Sequence, residues 1–198
     1  MMSKNMATTL LFVTEKEAIF DQVNEFFKKH APQIELVFKT PQWHELQSLE
    51  EERVIQHKAM RAWNHFKQPL IVEDSGFYFK RYPDFPGTLS EFALSGLARE
   101  GINKLCRADN QATAFSWIGY IGQSNADCYF NSRVEGYILD EFAPATQTNF
   151  DMMPIFHPEG STKTLQQLIG NDRELQFSPR LKACKKFINW YFDLPEDV

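Results

Sequence analysis

The strongest constraint on the fold is an apolar run that stops at two carboxylates, in the sequence Pro-Leu-Ile-Val-Glu-Asp-Ser-Gly at residues 69–76. A continuous apolar run bounded by turn residues predicts a short buried strand over residues 69–72. Glu73 and Asp74 are then expected at its end, where open α/β sheets place their ligands. Two adjacent acids at that position cost desolvation energy unless a metal, a base role or nearby donors compensate. The alternative is an Asp-Ser-Gly turn that only ends the strand.

The composition indicates one globular α/β domain over residues 1–198, because 43% of the chain is hydrophobic and 18 residues are Phe. The net charge of −5 argues against a protein that coats a nucleic acid polymer. Three widely spaced cysteines suggest neither a metal cluster nor a disulfide framework, and they suit a reducing cytoplasm. No apolar run approaches the roughly 18 residues that cross a membrane. We therefore expect a cytoplasmic protein that does not associate with membranes.

Short apolar runs alternate with helical periodicity, which predicts βα units followed by a hairpin and a last helix. Strands are expected over residues 8–13, 34–38, 69–72, 113–121, 127–134 and 137–139, and residues 77–79 could continue the third of them. Helices are expected after residue 16, over residues 49–66, over 89–105 with a break near Gly96 or Gly101, over 164–169, and from Ser178 onward. Residues 140–160 are expected to be irregular.

Three carboxylates, those of Glu45, Glu73 and Asp74, could meet around one Mg²⁺ ion. Magnesium prefers oxygen ligands and keeps several of its waters. Such an ion bridges phosphate oxygens while one carboxylate orients or deprotonates an attacking water. The alternative for Glu45 is an acid in a solvated loop.

Two basic residues could contact a bound anion. Lys58 lies on the edge of the apolar face of its helix, where a lysine either extends to solvent or points into a cleft. Ser178 followed by Pro179 predicts an ordinary helix start. Arg180 in that first turn opposes the helix dipole unless an anion binds there. We therefore expect Arg180 to contact a phosphate or a base.

These features, in this order, resemble the inosine triphosphate pyrophosphatase (ITPase) family, whose members hydrolyse non-standard purine nucleoside triphosphates to monophosphates and pyrophosphate. The resemblance extends over nearly the whole chain and rests on residues 12–14, 45–47, 55–58, 69–76, 85–87, 150–164 and 178–183. It implies an elongated mixed β-sheet with flanking helices that form two lobes around a central cleft. It also implies a nucleoside triphosphate substrate, dependence on Mg²⁺ and a homodimer.

The resemblance implies roles for individual residues as well. Asp74 would be the metal-linked base or water-orienting acid with Glu73 beside it, and Glu45 and Asp74 would bind the metal. The residues expected to bind substrate are Thr14, Lys16, Lys58, Ser75, Phe150, Ser178 and Arg180. In this set, Phe150 would stack on the purine and Arg180 would help to read it.

The chain departs from the family pattern where the substrate is expected to bind, at Glu15, Ile19, Ala112, Met153, Glu174 and Pro179. Glu15 replaces a glycine and puts a negative charge beside the expected triphosphate, which Coulomb repulsion disfavours. Pro179 replaces a histidine that can hydrogen-bond a purine edge. Three hypotheses follow: a pyrophosphatase with a changed substrate, a weak enzyme for inosine and xanthosine triphosphates, or a catalytically inactive member that serves as a nucleotide-binding or protein-interaction module.

Overall fold

The computed structural model describes residues 8–41, 43–122, 127–139 and 153–194. The strands in these ranges are β1 Thr8–Val13, β2 Ile34–Lys39, β3 Leu70–Phe79, β4 Pro86–Gly87, β5 Gln111–Ile121, β6 Asp127–Ile138 and β7 Phe156–Pro158. The helices are α1 Glu17–His30, α2 Glu51–Phe66, α3 Ser90–Cys106, α4 Leu165–Leu168, α5 Glu174–Phe177 and α6 Pro179–Tyr191.

All seven of these strands belong to one mixed sheet, which confirms the predicted fold class. The strand order is β2-β1-β3-β5-β6-β7, and β4 pairs with β3 beside this path. β1 runs parallel to both β2 and β3, whereas the pairs β3–β4, β3–β5, β5–β6 and β6–β7 are antiparallel. Parallel pairs need a crossover connection, and α1 and α2 fill the two connections between β1, β2 and β3.

Helices cover both faces of the sheet around β1 and β3. Because successive strand residues point to opposite faces, Ile71 and Val72 enter different cores. Ile71 packs in one cluster with residues of α1 and α6. Val72 packs in another cluster with Ile55 and Ala59 of α2. The two sides are called here the α6 face and the α2 face.

β3 is longer than the sequence predicts. The expected strand ended before Glu73, but the strand continues to Phe79, so the prediction that both acids lie beyond its end is wrong. The reason is that β5 pairs with β3 along its full length, from Leu70 to Phe79. Gly76 lies within this strand and does not form a turn. A glycine suits the position because a Cβ there would collide with the Gly87 carbonyl oxygen and the Phe115 ring.

Three further elements differ from expectation and one agrees with it. β6 extends to Ile138 and includes residues 137 and 138 of the segment expected to form a separate strand. β7 lies within the stretch expected to be irregular, because it pairs with the end of β6. The break in α3 agrees with expectation, since it falls at Ala98, with φ of 51° and ψ of −174°, two residues after the weakly helical Gly96. The helix α5 was not expected, because its four residues are too few to show a helical period in the sequence.

None of the helices in the described ranges is both long and apolar enough to span a lipid bilayer.

Candidate active site

An opening in the sheet lies beside the middle of β3. β1 ends at Val13, which pairs with Val72, and β4 first pairs with β3 at Phe77. Within the described residues, no strand pairs with residues 73–76 on this side, although β5 pairs with them on the other. Glu73 and Asp74 therefore lie where the parallel strand β1 stops, so they keep the position at a strand's carboxyl end that ligand sites in α/β sheets use.

On the α2 face, Asp74 and Glu45 share one ammonium group. Lys58 Nζ lies 2.6 Å from Glu45 Oε1 and 3.5 Å from Asp74 Oδ1. The side chains of Lys58 and Asp74 are 12% and 13% exposed, whereas that of Glu45 is 38% exposed. The structure thus brings three of the predicted site residues together, with Glu45 on the solvent side of the cluster.

Burial and charge shift the ionisation of this cluster. Burial raises the pKa of Asp74, and the charges of Glu73 and Glu45 add to it against the opposing effect of Lys58, so that the pKa reaches about 7. Burial alone lowers the pKa of Lys58, but the charges of Asp74 and Glu45 outweigh it and the pKa is raised. Lys58 therefore stays an ammonium ion between two carboxyl groups.

The donor set fits a magnesium ion. Glu45 and Asp74 offer carboxylate oxygens that already converge on one cation, and Mg²⁺ is commonly held by one or two carboxylates together with water and substrate phosphates. No group of three or more His, Cys, Asp or Glu side chains suited to a metal occurs in the described residues. The residues therefore suit an ion that shares its coordination with a substrate.

Glu73 points the other way, into the α6 face, where three donors reach one of its oxygens. Arg180 Nε donates to Glu73 Oε1 at 2.8 Å, Ser116 Oγ donates to it at 3.2 Å, and Ser75 Oγ also donates to it. The side chains of Glu73 and Arg180 are 3% and 6% exposed. Burial alone raises the pKa of Glu73, but the Arg180 charge and these hydrogen bonds outweigh it and lower the pKa.

The expectation that Glu45, Glu73 and Asp74 meet around one ion is wrong for Glu73. Neighbouring residues of a strand project to opposite faces, so Glu73 and Asp74 are separated by the sheet. The catalytic role assigned to Glu73 stays a prediction, and its contacts favour a positioning role through Arg180.

A hydrogen-bonded chain continues from Arg180 along the start of α6. Arg180 Nη1 donates to Gln22 Oε1 at 2.7 Å and to the Met153 sulfur at 3.5 Å. Gln22 Nε2 donates to Glu174 Oε1 at 2.6 Å, and the Gly170 backbone N–H donates to Glu174 Oε2 at 2.8 Å. Two of the departures from the family pattern, Met153 and Glu174, thus belong to one network that holds Arg180 in place.

The other predicted substrate residues lie around the opening or next to it. Thr14 is buried, and its Oγ1 accepts the Lys16 backbone N–H at 3.2 Å. Lys16 Nζ lies 3.1 Å from Glu91 Oε2, so an ion pair joins the loop after β1 to the first turn of α3. Ser178 caps α6 by accepting the Leu181 N–H at 3.2 Å, as predicted. Phe150 lies outside the described residues.

The remaining departures occupy ordinary structural positions. Glu15 is exposed in the loop after β1, and Ile19 packs against the core of the α6 face. Ala112 is 1% exposed in the interior, and Pro179 is the first residue of α6. None of these four side chains contributes a charge or a donor to the opening except Glu15, whose charge is negative.

Sequence reasoning missed Gln22 and Ser116, which complete the network around Arg180 and Glu73. Both are polar residues at positions that the hydrophobic pattern assigns to the interior. Gln22 lies between Ile19 and Phe26 on the apolar stripe of α1, and Ser116 alternates with Ala114 and Ile118 on β5. Buried polar side chains need a partner, so this pattern could have revealed them.

Curated relatives match the chain over most of its length. A dITP/XTP pyrophosphatase of Methanopyrus kandleri is 29% identical over 184 residues, which cover 92% of this chain and 95% of the relative. A dITP/XTP pyrophosphatase of Methanothermobacter marburgensis is 30% identical and covers 91% of this chain and 94% of its own. An inosine triphosphate pyrophosphatase of Yarrowia lipolytica is 30% identical over 68% of this chain and 71% of its own.

Solved structures share the fold. The Staphylococcus aureus Ham1 protein superposes with a TM-score of 0.70 at 18% identity, over 94% of this chain and 99% of its own. A HAM1 protein from Coxiella burnetii has a TM-score of 0.69 at 18% identity, with the same coverage of 94% and 99%. The family model described as Ham1 family matches residues 10–190. The resemblance to inosine triphosphate pyrophosphatases is thereby confirmed, and the chain belongs to the Ham1 family.

Proposed function

We propose that the protein is a Mg²⁺-dependent nucleoside triphosphate pyrophosphohydrolase, which releases a nucleoside monophosphate and pyrophosphate. The observation that carries the proposal is the convergence of Glu45 and Asp74 on Lys58 at the opening beside β1. The relatives named dITP/XTP pyrophosphatase and inosine triphosphate pyrophosphatase support the reaction class. The homodimer implied by the resemblance stays a prediction that sedimentation can test.

The reaction needs a water that attacks a phosphorus atom and a site that tolerates four phosphate charges. Asp74 orients or deprotonates this water, since it is buried and accepts a hydrogen bond from Lys58 alone among the described residues. Glu45 and Asp74 hold the magnesium ion, which when bound neutralises phosphate oxygens. Lys58 keeps the two carboxylates within reach of each other and adds a positive charge beside the phosphates.

We infer that the base is recognised differently from the bases in the names of the relatives. Glu174 adds a carboxylate, an acceptor, to the start of the α6 region, and Pro179 offers no side-chain hydrogen bond there. Arg180 is committed to Glu73, Gln22 and Met153. Glu174 and Arg180 are thus hydrogen-bonded within the fold, and residue 179 offers no donor, so we infer that a base edge read by a histidine at this position is not read in the same way here.

The test is a panel of deaminated and standard ribo- and deoxyribonucleoside triphosphates, incubated with purified protein and Mg²⁺. Separation of the products distinguishes monophosphate plus pyrophosphate from diphosphate plus phosphate. Asp74→Asn is the loss-of-function variant, and Glu135→Gln is the matched control because Glu135 is an exposed acid on the same face of the sheet, whose side chain accepts a hydrogen bond from Thr113.

Turnover to the monophosphate that Asp74→Asn abolishes and Glu135→Gln retains supports the proposal. Turnover confined to inosine and xanthosine triphosphates contradicts the changed base recognition and leaves the reaction class intact. No turnover of any nucleotide contradicts the reaction class. In that case stabilisation of the fold by a nucleotide would identify a binding module instead.

A further inference from the structure

We propose that Arg133 is a substrate-contacting residue whose guanidinium binds the phosphate chain of the nucleotide on the α2 face of the sheet. Arg133 lies on β6, a strand in which the sequence analysis named no site residue. The inference rests on the proposed function, because it assigns a second basic contact to the same nucleotide.

A buried carboxylate holds this guanidinium. Glu51, at the first position of α2, is 9% exposed and accepts three hydrogen bonds of 2.6 Å each. The donors are Tyr78 Oη, Trp117 Nε1 and Arg133 Nη2, which belong to β3, β5 and β6. Burial and the Glu51 carboxylate raise the pKa of Tyr78, so its hydroxyl remains a donor. The cluster fixes Glu51, and Glu51 in turn fixes Arg133.

Two aromatic rings lie against the guanidinium of Arg133, between it and the sheet. Its guanidinium carbon lies 5.6 Å from the centre of the Tyr78 ring and 5.7 Å from that of Phe115, and these two rings stack at 5.2 Å. A stacked guanidinium loses little further freedom when it binds an anion, so the group is preorganised. Its side chain is nonetheless 48% exposed. Within the described residues, Nη2 is the nitrogen that hydrogen-bonds, which leaves Nε and Nη1 able to donate to a ligand.

The strand register places this group on the same face of the sheet as the proposed metal site, two strands from β3 and one row further along. Trp117 is the cross-strand partner of Asp74, so the two side chains lie side by side on the α2 face. Gly76, Phe115 and Arg133 form the next row on the same face, about 7 Å along the strands. Gly76 has no side chain, and the Phe115 ring packs over it, so the Arg133 guanidinium lies above an aromatic surface in this row.

Phosphate is the ligand that best matches these donors. A guanidinium presents parallel N–H groups that pair with two oxygens of one phosphate. The two lysines expected to bind substrate are partly neutralised by carboxylates, since Lys58 contacts two of them and Lys16 pairs with Glu91. Glu15 adds a negative charge at the β1 side. A cation on β6 compensates for the paired lysines and for the Glu15 charge. It thereby explains how a chain that lacks basic residues at expected positions can bind a polyanion.

The experiment compares Arg133→Gln and Arg133→Lys with Arg53→Gln in the full chain. Arg53 is the matched control because it is an exposed arginine on α2, 4.0 Å from Glu50. Thermal unfolding first verifies that each variant folds, and Arg133→Lys preserves the charge opposite Glu51 if the glutamine variant is unstable. The readouts are kcat and KM for the substrate found in the nucleotide panel, and the affinity for inorganic pyrophosphate with Mg²⁺ by calorimetry.

We expect Arg133→Gln to raise KM and weaken pyrophosphate binding about tenfold each, with kcat within about twofold of the unmodified protein, because one charge-assisted contact is lost. Arg133→Lys should show an intermediate effect, and Arg53→Gln no effect. Unchanged KM and pyrophosphate affinity in Arg133→Gln would overturn the inference while turnover persists. A changed base preference with unchanged pyrophosphate affinity would also overturn it. If no nucleotide is turned over, the proposed function fails, and pyrophosphate binding alone decides the role of Arg133.

Discussion

Glu73 and Asp74 are neighbours in the sequence but occupy opposite chemical environments. Glu73 points into the α6 face, where Arg180, Ser75 and Ser116 donate to a single one of its oxygens. Asp74 points into the α2 face, where its one hydrogen bond from the described residues comes from Lys58 at 3.5 Å. Both side chains are largely withdrawn from water, so burial alone does not distinguish them.

The difference lies in how completely each carboxylate is satisfied. A buried acid whose acceptors are filled is fixed and stabilises the fold, whereas one with spare acceptor sites can bind a metal, a water or a substrate. Asp74 Oδ2 accepts no hydrogen bond from the described residues. We therefore assign reaction chemistry to the α2 face and positioning of Arg180 to the α6 face.

Asp74→Asn should cause the largest change in activity. The substitution preserves the size of the side chain but removes the charge that binds a metal and activates water, so kcat should fall about 10³-fold. The free energy of unfolding should change little, because the one side-chain hydrogen bond that Asp74 accepts from the described residues is long, at 3.5 Å. Pyrophosphate release and urea denaturation of the same preparation measure both quantities. A loss of stability as large as the loss of activity would contradict the assignment.

Glu73→Gln should act in the opposite sense and mainly reduce stability. It leaves the Arg180 guanidinium buried without its counter-charge, so the free energy of unfolding should fall by about 3 kcal/mol. Urea denaturation measures the change, with Glu135→Gln as the exposed control.

A double variant sharpens this prediction. Glu73→Gln combined with Arg180→Met removes both buried charges, so its stability should exceed the value expected from adding the two single losses. Simple additivity would mean that the ion pair contributes nothing and would contradict the account.

Glu45→Gln should weaken the metal requirement rather than the fold. The side chain lies at the exposed side of the cluster, and the substitution removes one of two negative ligands. The Mg²⁺ concentration that gives half-maximal activity should rise about tenfold, which corresponds to about 1.4 kcal/mol. Activity titrated with Mg²⁺ after chelator treatment measures it, and an unchanged titration would exclude Glu45 as a ligand.

Ser178→Ala should give the smallest effect of the four. Ser178 accepts the Leu181 N–H and so caps the helix that carries Arg180. Loss of an N-cap costs about 1 kcal/mol, so thermal unfolding should shift slightly and pyrophosphate release should stay within a few-fold. A large fall in kcat without a shift in unfolding would show that the Ser178 hydroxyl touches the substrate.

The same comparison shows what the sequence could reveal. Its apolar pattern predicted the α/β class, the bounds of β1 and the end of α2, because β1 is apolar on both faces and α2 carries one apolar stripe. They indicated that residues 77–79 could continue the strand but not that residues 73–76 belong to it, since β5 provides the pairing from a distance of some 40 residues in the chain. This long-range pairing outweighs the local preference of Ser75 and Gly76 for a turn.

The candidate site could be predicted from the sequence only in part, for a related reason. Glu45 and Asp74 were predicted as metal ligands and Lys58 as a contact of a bound anion, but the direct contact among the three is a finding of the structure. Strand alternation could have shown that Glu73 faces away from Asp74, but only once residues 73–76 were known to be strand. The cluster around Glu51 joins one helix and three strands that are far apart in the sequence, so no local sequence pattern predicts it.

The most direct test of the account is a crystal structure of the protein with Mg²⁺ and an α,β-methylene analogue of the nucleotide it hydrolyses. The account predicts a metal bound by Glu45 and Asp74 on the α2 face, with Glu73 still hydrogen-bonded to Arg180 on the α6 face. A metal bound by Glu73, or a Glu73 that has left Arg180 to reach the nucleotide, would contradict the division of roles between the two faces.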